Sequence, residues 1–215
     1  MKRRMNTGFL ALLCCLAAAG AVAGEAAQHL AGAVRFRTIS HQDPGQLDRA
    51  AFLGLHDYLR QTYPRSFAAM EVETVNALSL LLIWRGSDAA LEPVLFTAHM
   101  DVVPVEPGTE ADWTHPAFDG VIENGVVYGR GTLDDKVGVI SLLEATERLL
   151  AEGLAPQRTI VLAFGHDEEV SGANGAGAIA ARLRALNMQF AWMVDEGGLI
   201  LSDSAQTPGY PLAMI

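Results

Sequence analysis

Four short segments hold the residue types that bind cations or move protons. They are His99-Met100-Asp101, Gly129-Arg130-Gly131-Thr132-Leu133-Asp134-Asp135-Lys136, Gly165-His166-Asp167-Glu168-Glu169 and Asp195-Glu196-Gly197-Gly198. Carboxylates gathered in one place repel one another and lose hydration, and a bound divalent ion, or two, relieves both costs. One imidazole among carboxylates, with no thiolate, suits zinc, with cobalt or manganese as alternatives. Calcium is disfavoured, because a histidine is a poor ligand for it and no EF-hand loop is present. In His99-x-Asp101 an extended backbone puts both side chains on one side, so the carboxylate can hold the imidazole. Adjacent Glu168 and Glu169 offer two roles in one turn, one carboxylate for metal and one for protons. The competing reading is an acidic loop edge that only aids solubility.

These segments matter together only if the fold gathers them. Periodicity predicts helices over 28–38, 46–62, 136–152 and 173–186. The second is expected to stop at Pro64. Strands are predicted over 70–76, 78–84, 93–98, 159–164, 190–194 and 210–215, with a hairpin over 121–128 turning at Asn124-Gly125. Alternating strands and helices with apolar strands specify an α/β fold, a mixed, largely parallel sheet with helices on both faces. Each acidic segment follows a predicted strand or hairpin. In open α/β sheets that carboxyl edge is where ligands bind.

Composition narrows the class further. The chain has 215 residues, half of them hydrophobic and 19% charged, an ordinary globular mix. The formal net charge is −10 and no basic run occurs, so nucleic acid is excluded as a partner. Lys2, Arg3 and Arg4, then the uncharged stretch 9–23 ending in Ala21-Val22-Ala23, read as a signal peptide over 1–23. That stretch is short for a membrane span. The expected product is exported, periplasmic or secreted, without a stable membrane anchor. Both cysteines, Cys14 and Cys15, fall in the leader, so residues 24–215 have no disulfide and no thiol chemistry.

In combination and order, the segments 96–105, 113–118, 128–136, 165–172 and 194–198 resemble the zinc-dependent exopeptidase and aminoacylase family. That family includes glutamate carboxypeptidase, carboxypeptidase S and succinyl-diaminopimelate desuccinylase, and the likeness is strongest to the carboxypeptidase S branch. The resemblance implies a two-zinc centre in a zinc-peptidase-like catalytic domain. His99 would bind one zinc, Asp134 would bridge both in preference to Asp135, and Glu169 would bind the other. Glu196 would complete the first site, with Asp195 the runner-up. Asp101 would orient His99, and Glu168 would be the general base. The implied reaction is hydrolysis of an amide bond in a small peptide or an N-acyl amino acid. A non-catalytic binding module on the same fold is the alternative.

The family's last histidine ligand follows a lid domain, and neither occurs before Ile215. The resemblance therefore implies that 24–215 is the N-terminal part of a catalytic domain, with weakened metal binding at the Glu169 site and little activity alone. It also implies that any homodimer forms through the lid. The remaining histidines match no ligand position. His29, His41 and His56 are read as surface residues, His166 as a neutral supporting or surface group, and His115 as a residue of the 113–118 loop with no assigned role. Gly129 and Gly131 are read as shaping the backbone that presents Asp134, and Arg130 as pairing with an acid. Trp84 and Trp192 are read as core, and Trp113 as lining the pocket. The glycine-rich run at 172–177 lacks the middle glycine of a dinucleotide loop.

Overall fold

The computed structural model describes residues 24–197, 199–201 and 212–214. The proposed leader over 1–23 lies outside the described residues. Helix α1 covers 24–34, and then come α2 (Arg49–Thr62), α3 (Pro64–Ala69), α4 (Lys136–Ala151) and α5 (Ala176–Ala185). The strands are β1 (Glu71–Val75), β2 (Ser79–Trp84), β3 (Val94–His99), β4 (Val121–Glu123), β5 (Val126–Tyr128), β6 (Ile160–Gly165), β7 (Trp192–Val194), β8 (Leu199–Leu201) and β9 (Leu212–Met214).

Five strands form one sheet in the order β1-β2-β6-β3-β7. The β1–β2 and β2–β6 ladders are antiparallel, whereas β6–β3 and β3–β7 are parallel. The sheet is thus mixed as expected, with its parallel half carrying the acidic strand ends. β2 (Ser-Leu-Leu-Leu-Ile-Trp) is buried along its whole length, which a strand covered on both faces requires. Its alternating side chains feed two cores. Leu80, Leu82 and Trp84 pack with Leu55 and Leu59 of α2 and Val139, Ile140 and Leu143 of α4. Leu81 and Ile83 pack with Ile179 and Leu183 of α5 on the opposite face. Helices therefore cover both faces.

Several elements depart from the sequence reading. Pro64 starts a helix as well as ending one: it stands at the first position of α3, where a missing N–H costs nothing. Glu147 on α4 caps that helix, accepting from the Ser66 N–H at 2.8 Å and the Arg65 N–H at 3.1 Å. The first helix ends at 34, before the expected 38. Residues 38–40 instead run beside 100–102, with the Val102 N–H donating to Thr38 O at 3.0 Å and the Ser40 N–H to Val102 O at 3.1 Å. β8 was not anticipated. It pairs antiparallel with β9, the described part of the strand expected over 210–215.

His56 is not a surface residue. It is buried on α2, and its ring bonds Leu78 O at 2.9 Å, since the spacing of α2 turns this position inward beside Leu55 and Leu59. His29 is half-buried against Glu144 of α4. Trp192 is 49% exposed, because β7 is the edge strand of the described sheet; Trp84 is core as expected. Among the described residues no helix is long and apolar enough to cross a membrane.

Candidate metal centre

The site sits where β3, β6 and β7 end and α4 begins. β3 delivers His99 as its last residue, and the chain continues straight into Asp101. His99 is 2% exposed and Asp101 is fully buried. The imidazole Nδ1 faces Asp101 O at 3.0 Å and Asp101 Oδ1 at 3.3 Å. A carbonyl can only accept, so Nδ1 carries the hydrogen and the Nε2 lone pair points outward. Asp101 does more than orient the ring. Its Oδ1 accepts the Glu168 N–H and its Oδ2 the Glu169 N–H, each at 3.1 Å. One buried carboxylate thus ties the end of β3 to the turn after β6.

Asp134 and Asp135 close the loop before α4. Asp135 is buried and caps that helix, its Oδ1 accepting the Gly138 N–H at 3.0 Å. Asp134 is exposed on its side chain, and its Oδ1 stands 2.9 Å from His99 Nε2. The glycines before it are sterically required. A Cβ on Gly129 would lie 2.4 Å from Val34 Cγ1, and one on Gly131, at φ +88°, would lie 2.8 Å from Val102 Cγ1. Arg130 between them does not pair with an acid among the described residues. Its guanidinium instead lies 5.1 Å from the centre of the Trp113 ring.

After β6, Asp167 turns away from the centre. It accepts the Asn174 and Gly175 N–H groups at 2.8 and 2.7 Å, closing the loop that carries the acid pair. Glu168 Oε2 is 3.9 Å from His99 Nε2. After β7, Glu196 Oε1 is 3.2 Å from His99 Nε2, whereas Asp195 is held by the Thr97 hydroxyl. Of that pair, Glu196 faces the imidazole.

Two overlapping donor sets result. His99, Asp134 and Glu169 offer atoms within 4.8 Å of one another, and so do His99, Asp135 and Glu196. Burial pushes the His99 pKa down, but Asp101, Glu196 and Asp134 outweigh it and hold it up to about 10. Glu169 and Glu196 are pushed up, first by burial and then by neighbouring carboxylates. A lone pair ringed by carboxylate oxygens asks for a cation, either a proton or a metal ion. One imidazole with carboxylates and no thiol is a donor set that fits a first-row divalent ion.

Some supporting residues were missed. Thr38 and Ser40 brace the His99–Asp101 segment, the Thr38 hydroxyl donating to Met100 O at 2.6 Å. Lys136, next to the acid pair, is almost fully buried, and its Nζ donates to Ala33 O at 3.1 Å and Phe36 O at 2.5 Å, where α1 gives way to the following loop. Apolar neighbours gave no hint of either contact. His166 is buried, bonds Ser79 Oγ at 2.6 Å and has its pKa lowered by burial, which fits a neutral supporting role.

A model of peptidase family M20/M25/M40 matches residues 95–206, a span holding all four acidic segments. This chain belongs to that family. It is 43% identical over 154 residues to probable carboxypeptidase S-like 2 of Dictyostelium discoideum, covering 71% of this chain and 29% of that protein. It is 40% identical over 190 residues to the N-fatty-acyl-amino acid synthase/hydrolase of Mus musculus, covering 86% of this chain and 37% of that protein. The M20-family chain thus spans about a third of the length of these relatives. Its fold matches human carnosine dipeptidase 1 with a TM-score of 0.65 at 19% identity, over 81% of this chain and 38% of that one. An M20 family metallo-carboxypeptidase from Sulfolobus solfataricus gives a TM-score of 0.61 at 20% identity, over 78% and 36%.

Proposed function

We propose that this chain supplies the metal-binding part of a two-zinc amidohydrolase that cleaves a small peptide or an N-acyl amino acid. The observation that carries the reading is the convergence on His99 Nε2 of carboxylates from three different strand or loop ends. The names of its relatives, carboxypeptidase S-like and N-fatty-acyl-amino acid synthase/hydrolase, support both substrate classes. In this proposal His99 and Glu196 would hold one ion and Glu169 the other, with Asp134 shared between them. Cobalt or manganese would satisfy the same donors. Bound zinc would supply a water acidified to near neutral pH and a Lewis acid for the scissile carbonyl.

The protein's own part is proton handling and positioning. Glu168 belongs to neither donor set, yet its backbone is fixed by Asp101 beside Glu169. In this proposal Glu168 takes the proton from the attacking water and returns it to the departing amine. Asp101 fixes the His99 tautomer and does not touch substrate. Residues 1–23 are proposed as an export leader, which would deliver the enzyme to a periplasmic or extracellular space. The lid, the last histidine ligand and any dimer contact are proposed for sequence beyond these residues.

The test is Glu168→Gln in the complete enzyme, with metal content and hydrolysis of N-acetyl amino acids and dipeptides measured together. The expected result is unchanged zinc and a turnover loss of about 10²–10⁴-fold. Unchanged turnover removes Glu168 from the mechanism. Zinc absent from active wild-type enzyme removes the two-zinc reading.

A further inference from the structure

Lys136 is the first residue of α4, and its placement offends local preference in three ways. It is 1% exposed, although lysine is almost never buried without a partner charge. Among the described residues it forms no ion pair. It also stands at a helix N-terminus, the end whose dipole repels a cation. Residues placed against such preferences concentrate at functional sites. Every other cationic side chain of residues 24–215 is an arginine, so this position alone takes a lysine.

The head of Lys136 is held by a different helix. Its Nζ donates to Ala33 O at 3.1 Å and to Phe36 O at 2.5 Å. Ala33 is in the last turn of α1 and Phe36 lies two residues beyond it. Carbonyls at a helix C-terminus lack intrahelical partners, and a cation is favoured there. On the way the stem passes Gly131, where an added Cβ would lie 3.2 Å from Lys136 Cδ. A guanidinium carries five N–H donors in one plane, and two carbonyls in a buried niche would leave most of them unpaired. A single nitrogen on an unbranched stem fits. The same loop meets α1 again at Gly129, where Val34 leaves no room for a Cβ.

We propose that Lys136 is a positioning residue for the candidate metal centre: pinned to the end of α1, it fixes where Asp134 stands relative to His99. Among the described residues the Asp134 side chain has one hydrogen-bond partner, His99 Nε2. Its place is therefore set by the backbone, which is fixed by Gly131 on one side and by Asp135 and Lys136 on the other. The inference rests on the reading of these acids as metal ligands. It makes α1 part of the centre although α1 supplies no ligand.

The test compares the complete enzyme with its Lys136→Met variant, which keeps an unbranched stem and loses the donors. Tyr58→Phe is the control, since the Tyr58 hydroxyl donates to His29 O at 2.8 Å and steadies α1 without touching the 129–136 loop. In metal-free protein, amide hydrogen exchange over 129–135 should quicken about tenfold or more in Lys136→Met, beyond any change in the rest of the chain, and not in Tyr58→Phe. Cobalt(II), used as the probe metal, should bind Lys136→Met about 10–100-fold more weakly and with a shifted visible absorption spectrum. Tyr58→Phe should keep the wild-type affinity and spectrum. Lys136→Arg should fall between wild type and Lys136→Met in both measurements. If Lys136→Met does not fold, Lys136→Arg decides alone, and equality with wild type overturns the proposal. Loop exchange at the wild-type rate in Lys136→Met, an unchanged cobalt affinity and spectrum, or losses matched by Tyr58→Phe also overturn it. A wild type that binds no cobalt overturns the metal reading instead, and the exchange rates, read without metal, still judge Lys136.

Discussion

Asp101 is the residue on which the candidate centre turns. It faces the His99 ring on one side and receives the Glu168 and Glu169 backbone on the other. Burial raises its pKa, but the His99 imidazole and those hydrogen bonds overcome this and keep it lowered. Asp101→Asn should therefore weaken zinc binding by about 10–100-fold, read by competition with a chelating dye. Equal affinity would reduce Asp101 to a packing role. Glu196 and Asp195 present a cleaner comparison. Glu196 faces His99 while Asp195 is held by Thr97, so Glu196→Gln should lower zinc occupancy more than Asp195→Asn. The reverse order, by metal analysis of dialysed protein, would exchange their roles. The sequence allowed His99, Asp101 and the acid pairs to be singled out because their types are chemically distinctive and each follows an apolar run. It could not separate Asp167 from its neighbours. Asp167 differs only in facing the Asn174 and Gly175 N–H groups, a local loop geometry with no compositional signature.

At the scale of elements, two corrections have the same origin. Pro64 was read as a stop and His56 as exposed, yet both are decided by what packs against α2 and α3. Glu147 reaches from α4 to cap α3, so Glu147→Ala should cost about 1 kcal/mol, or roughly 2–4 °C in Tm. An unchanged Tm would mean that the Pro64 start suffices alone. His56 makes a pH prediction. Its pKa is lowered, chiefly by burial, although the bond to Leu78 O opposes this. The unfolded chain therefore takes up a proton that the folded chain resists. Stability from this group is complete above the unfolded value of about 6.5 and is lost as pH falls below it. Between about pH 7.5 and about pH 5.5 the wild type should lose more Tm than His56→Gln, which keeps a hydrogen-bond donor. Parallel losses would exclude His56 as the cause. Strand and helix positions were legible because their apolar periods are strong. Contacts between elements distant in sequence, such as Glu147 with Ser66, leave no period to read.

For the molecule as a whole, the mixed sheet explains why four dispersed segments meet. β3, β6 and β7 run parallel, so their carboxyl ends coincide, and Asp135 capping α4 brings the fourth segment to the same edge. The alternation of strands and helices made that edge foreseeable before any distance was known. The contact of Arg37 with Phe118 was not foreseeable, because the two are far apart in sequence and meet only through the fold. The central claim is that His99, Asp134, Glu169 and Glu196 together hold divalent ions. Zinc anomalous scattering from crystals of the complete enzyme tests it most directly. The account predicts two peaks bridged by Asp134, with His99 and Glu196 beside one and Glu169 beside the other. Zinc bound only at other residues, with none among these four, would contradict it.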